Sequence, residues 1–117
     1  MRPFTKGVVK INIQYDEYEL LEIFESEPED YFIPGAGAYI YNKIDKLGFE
    51  LVMIMCYYEE TVELQLYYKN KCIFETKIHS AKRIYTRNDS LYVQGGVENK
   101  TIEVKFKPHF TVQIEKF

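Results

Sequence analysis

From Phe49 to Ile114 apolar and polar residues alternate, and turn residues break the alternation at regular intervals. Val62, Leu64, Leu66 and Tyr68 interleave with Thr61, Glu63, Gln65 and Tyr67, and Ile102, Val104 and Phe106 with Thr101, Glu103, Lys105 and Lys107. Successive side chains of a strand point to opposite faces, so a two-residue period gives each strand one buried and one wet face. Strands recurring about every 8–12 residues between turn signals predict an antiparallel meander. The expected fold is mainly β. It is a single-domain antiparallel β-sandwich or partly closed barrel of about seven to nine strands, with one short N-terminal helix.

The individual elements follow from the same patterning. Val8 to Tyr15 alternates and predicts a first strand. Asp16 is placed to cap a helix through Phe24, with Tyr18 and Leu21, and Leu20 and Phe24, at helical spacing and Pro28 as a stop. The competing reading is a strand using Tyr18 and Leu20, broken by a bulge at Leu21. Phe32 to Ala38 reads as a loop of small residues leading to a strand at Tyr39–Tyr41. Phe49 to Tyr58 is apolar on both parities and needs cover on both faces, which the helix or a second sheet layer would supply. A three-residue loop at Lys69-Asn70-Lys71 would set Leu66 opposite Phe74 and Val62 opposite Ile78, with Cys72 on the face of Phe74.

A length of 117 residues fits one domain that holds a core without metal or disulfide staples. Cys56 and Cys72 form no CxxC pair, the N-terminus lacks the apolar core of a signal peptide, and no apolar run is long enough for a membrane helix. A cytoplasmic location without membrane association is expected. The net charge of −3 conceals an asymmetry. Between Ile11 and Asn42 there are eight acids and no Lys or Arg, so residues 1–42 carry net −5 and residues 43–117 carry net +2.

Few residues suggest catalysis. His79 and His109 lack the spacing of a metal site, and no metal or other cofactor is expected. Cys56 and Cys72 lie in apolar strands, where a thiolate is disfavoured. The acids are local neighbours rather than a pair across a cleft, and Pro34-Gly35-Ala36-Gly37-Ala38 lacks the remaining features of a phosphate loop. No catalytic residue is assigned. Lys69, Lys71, Lys77, Lys82, Arg83 and Arg87, interleaved with Tyr67, Tyr68, Tyr85 and Tyr92, form one basic-aromatic stretch. Acids interrupt it in an acidic chain, which disfavours nucleic acid as the partner.

The acidic stretch 16–30, edged by tyrosines and Phe32, is the strongest candidate for binding. Carboxylates speed encounter with a basic partner, and tyrosines bring buried area at low entropy cost. The candidate partner-binding residues are Tyr15, Asp16, Tyr18, Glu22, Glu25, Glu27, Glu29, Asp30 and Tyr31. In size, in this acidic aromatic segment, and in the strands 101–106 and 110–114, the chain resembles small β-rich immunity proteins of bacterial polymorphic toxin systems. The resemblance implies a non-enzymatic protein that neutralises a cognate toxin, here a basic one, by binding it. Two other readings remain open: a small-molecule-binding barrel lined by Tyr39, Tyr41, Tyr57 and Tyr92, and a small hydrolase using carboxylates or Cys72. Exposed edges such as Phe110–Ile114 would allow a homodimer through strand pairing or face packing.

Overall fold

The computed structural model describes residues 12–116, so Val8–Ile11 of the expected first strand lie outside the described residues. Of that strand's remainder, Gln14 forms an isolated parallel bridge to Arg83. Among the described residues one helix follows, α1 (Glu17–Phe24), and then nine strands: β1 (Glu29–Asp30), β2 (Ala38–Ile44), β3 (Phe49–Cys56), β4 (Thr61–Tyr68), β5 (Lys71–Ile78), β6 (Ala81–Arg87), β7 (Ser90–Gly95), β8 (Lys100–Lys105) and β9 (Thr111–Lys116). Two antiparallel meanders result, ordered β1-β2-β3-β4-β5 and β6-β7-β8-β9. They do not close on one another, so the fold is sandwich-like and not a barrel.

The alternation places the core as expected. Leu51, Met53 and Met55 of β3 and Val62, Leu64 and Leu66 of β4 face Leu91 and Val93 of β7 and Ile102 and Val104 of β8, in one buried cluster. Leu66 pairs with Phe74 and Val62 with Ile78, as the pattern requires. The connection differs. Lys69 and Asn70 both take positive φ (52° and 66°), so the turn has two residues, and Ile73 bulges out of register instead. The bulge turns Cys72 to the outer face opposite Tyr67, where it is exposed, and off the face of Phe74, whose carbonyl its thiol still reaches at 3.4 Å.

The chain crosses from the first sheet to the second through His79 and Ser80 alone. The corner is tight because the Ala81 N–H donates to the Glu60 carbonyl (2.7 Å) and the Gly96 N–H to that of Ser80 (3.2 Å). Gly95 lies so close that a Cβ there would sit 2.6 Å from the Ala81 Cα. At the opposite end one carboxylate joins both sheets. Asp45 Oδ1 accepts from the Leu47 and Phe49 N–H groups in the β2–β3 turn, and Oδ2 accepts from the Phe110 N–H beyond β8, each at 2.9 Å.

The N-terminal segment closes the side of the sandwich between β2 and β6. The Asp16 side chain caps α1 by accepting from the Tyr18 N–H (2.8 Å), and the helix ends at Glu25 in left-handed conformation. Leu20 and Phe24 enter the core, where the Phe24 ring meets Tyr41 at 5.2 Å and Phe106 at 5.4 Å. The free edge of β6 is satisfied from the same segment. Gln14 exchanges backbone hydrogen bonds with Lys82 and Ile84 (2.9 Å each), and Glu19 Oε1 accepts from the Thr86 N–H (3.1 Å). The helix therefore covers the inner seam and not the outer face of β3, where Val52, Ile54 and Cys56 stay half-buried. Removing the ring that bridges the sheets leaves a cavity as well as lost burial. Phe24→Ala is expected to lower unfolding free energy by about 3–5 kcal/mol in urea titration, with little change in the slope.

Candidate functional site

Where α1 begins, the ends of β2 and β3 and the residues before the helix frame an open cleft of about 700 Å³. Tyr15, Tyr18, Tyr39, Tyr57 and Tyr58 line it, with Asp16 and Glu17 at its margin. Buried Ile13 fixes the preceding segment, so Tyr15 sits half-buried with its ring edge-on to Tyr57 at 6.0 Å. Tyr57 in turn meets Tyr58 at 5.4 Å. Burial pushes the Tyr15 phenol above its ordinary value, and Tyr39, Glu17 and Tyr57 add to the shift. Tyr15 presents an aromatic ring with a polar tip, a form suited to contact with another protein.

The nine residues singled out from the sequence divide by task. Tyr15, Asp16 and Tyr18 meet in this cleft, with Tyr18 75% exposed. Glu29 and Asp30 form β1, an exposed edge paired to β2, and exposed Glu27 precedes it. Tyr31 follows at 42% exposure. Glu22 and Glu25 lie elsewhere, at the C-terminal end of α1, where Glu25 pairs with Lys43. The Lys43 hydrogen bond, then its charge, hold the Glu25 carboxyl below its ordinary value, with a smaller contribution from Lys107. Sequence reasoning did not join Tyr39, Tyr57 and Tyr58 to the acidic segment, because the β2–β3 register is what brings them there. Phe32, named from the sequence only as an edge of the acidic stretch, and Ile33, not named for it at all, are each 68% exposed.

A second cleft of about 600 Å³ opens at that C-terminal end, with Glu19, Glu22, Glu25, Asp45 and Asp89 set against Lys43, Lys46 and Lys107. Its charges are largely engaged in the fold: Asp45 by three backbone N–H groups, Glu19 by Thr86 and Glu25 by Lys43. The four tyrosines proposed for a ligand-lined barrel do not converge. Tyr41 is a core residue, Tyr92 stacks on Tyr85 (4.9 Å, 7° between planes) outside the second sheet, and only Tyr39 and Tyr57 share the cleft. In the basic-aromatic stretch the half-buried Tyr85 stacks on Tyr92 and has the Arg83 guanidinium 4.2 Å from its ring centre. Among the described residues no three of His, Cys, Asp and Glu gather to hold a metal ion. No helix there is long and apolar enough to cross a membrane.

The structure is similar to a chain of the contact-dependent growth inhibition toxin–immunity protein complex from Klebsiella pneumoniae 342. The TM-score is 0.78 at 21% sequence identity, over 92% of this chain and 98% of that one. The expected likeness to a small β-rich protein of a toxin–immunity system is therefore met at the level of fold. No protein-family model and no curated protein matches the sequence.

One acid pair stands apart from both clefts. On the outer face of the first sheet, Glu63 and Glu75 share a hydrogen bond, and Gln65 Nε2 donates to both, at 2.9 and 3.4 Å. The bond from Glu75, with that from Gln65, holds the Glu63 carboxyl below its ordinary value, while the same bond and the Glu63 charge raise Glu75. The native fold holds the Glu75 proton more tightly than the unfolded chain does. That contribution favours the fold at acid pH and fades as pH rises through the folded pKa; the Glu63 contribution runs the other way. NMR titration should show Glu75 releasing its proton after Glu63, and Glu63→Gln should return Glu75 toward the ordinary carboxylate range.

Proposed function

We propose that this protein is an immunity protein, which neutralises a toxin by binding it and acts in the cytoplasm of the cell that makes it. The observation that carries this reading is the fold, which matches nearly the full length of a chain from a toxin–immunity complex. The proposed contact surface is the acidic, tyrosine-edged end of the molecule. Tyr18, Glu27, Glu29, Asp30 and Tyr31 carry it directly, since all five are exposed and none has a fold-stabilising side-chain bond among the described residues. Tyr15 and Asp16 position it, one as a packed ring in the cleft and the other as the cap of α1. Glu22 and Glu25 belong to its far margin. Glu22 adds to the field that steers a cationic partner, whereas the Glu25 charge is paired with Lys43.

A basic toxin surface is the complement such a face requires. Exposed carboxylates raise the rate of encounter with a cationic partner, and the effect weakens as salt screens the field. Glu29 and Asp30 are the residues to test, because reversing Glu25 would also break its pair with Lys43. With the product of the gene immediately upstream as the candidate toxin, Glu29→Lys/Asp30→Lys is expected to weaken binding at least about tenfold at low ionic strength. The association rate should also depend less steeply on salt. Calorimetry and stopped-flow mixing check both. Unchanged affinity and salt dependence would exclude the acidic face as the contact.

A further inference from the structure

We propose that the loop from Tyr31 to Gly37 is a prebuilt anchor: Phe32 and Ile33 enter an apolar pocket on the toxin, and Glu27, Glu29 and Asp30 meet Lys or Arg side chains at that pocket's rim. The inference rests on the toxin-binding reading and specifies where its affinity resides. Tyr31, Phe32 and Ile33 are consecutive and are 42%, 68% and 68% exposed. Contiguous exposed apolar side chains with a polar rim mark interaction sites, whereas single exposed ones do not.

The loop is held in one shape before any partner arrives. The Tyr31 N–H donates to the Ala38 carbonyl at 2.9 Å, which closes the base. The Ala36 N–H donates to the Ile33 carbonyl at 3.1 Å across Pro34 and Gly35, and Gly35 has φ +88°. Proline at the second position and positive φ at the third define a type II turn. Gly37 is fixed from the other side. Its carbonyl accepts from the Tyr57 N–H at 2.8 Å, and a Cβ on it would fall 2.5 Å from the Tyr58 ring. The Tyr31 and Phe32 rings meet at 4.4 Å, so neither swings freely. A loop already ordered loses little entropy on binding, and that saving appears as affinity.

Charge selects the occupant. No Lys or Arg lies between Ile11 and Asn42. Two copies joined through this loop would bring like charges together, and an anionic membrane would be repelled. A protein pocket with a cationic rim meets both requirements.

The test uses the full chain and, as the toxin probe, the product of the gene immediately upstream. Phe32→Ala/Ile33→Ala should lower affinity by about a hundredfold or more, mainly through faster dissociation, with an unchanged melting temperature. Ile44→Ala/Leu47→Ala, which trims exposed apolar residues at the other end of β2, should leave binding within about threefold. Gly35→Ala keeps both anchor side chains and has room for its methyl group, but strains the turn; it should weaken binding about tenfold. If the wild-type chain binds and Phe32→Ala/Ile33→Ala binds equally well, the anchor is wrong and the toxin-binding reading stands. If the wild-type chain does not bind, both fall. A Gly35→Ala variant with wild-type affinity would overturn the claim that the loop is prebuilt.

Discussion

Phe24 is the contact on which the arrangement of the two sheets depends. Each meander buries one face, and stacking them satisfies that demand, but it leaves a side where the core and the backbone edge of β6 would meet water. The Phe24 ring fills that side, touching Tyr41 of the first sheet and Phe106 beyond the second. Leu20 packs beside it, and Gln14 and Glu19 supply the hydrogen bonds that β6 lacks. The position of α1 follows from these contacts. With the helix seated there, its N-terminal end carries Asp16, Glu17 and Tyr18 to the tyrosine cleft, and its C-terminal end sets Glu25 against Lys43.

The acidic segment therefore has two kinds of residue. Asp16, Glu19 and Glu25 act within the fold, as cap, edge acceptor and ion-pair partner. Glu27, Glu29 and Asp30 are exposed, and they adjoin the run of consecutive exposed apolar residues Tyr31, Phe32 and Ile33. The proposed interface draws on the second kind. The outer face of the second sheet offers less, since its stacked Tyr85 and Tyr92 and the guanidinium of Arg83 already occupy one another.

Much of this was legible in the sequence where local periodicity governs. Val62 to Leu66 and Ile102 to Val104 face inward as the two-residue alternation requires, and Asp16 caps a helix that Phe24 closes. What the sequence hid depends on long-range register. Phe49 to Tyr58 is apolar on both parities, which called for a cover over its second face. Instead Val52 and Ile54 are half-buried beside their cross-strand neighbours Gln65 and Glu63, which hydrogen-bond to each other. Cys72 changed face because of a one-residue bulge that alternation cannot reveal. Tyr39, Tyr57 and Tyr58 join Tyr15 only through the pairing of β2 with β3, and Asp45 reaches Phe110 across 65 positions of chain. The acids announced themselves by charge; the apolar loop beside them looked like a simple connection.

Hydrogen exchange of the chain alone and with the product of the gene immediately upstream, the proposed toxin partner, maps the contact without altering a residue. The proposed contact slows amide exchange in 31–37 and 57–60 on binding and leaves 90–105 unchanged. Protection confined to β7 and β8, with the loop and the tyrosine cleft exchanging as in the free protein, would contradict it.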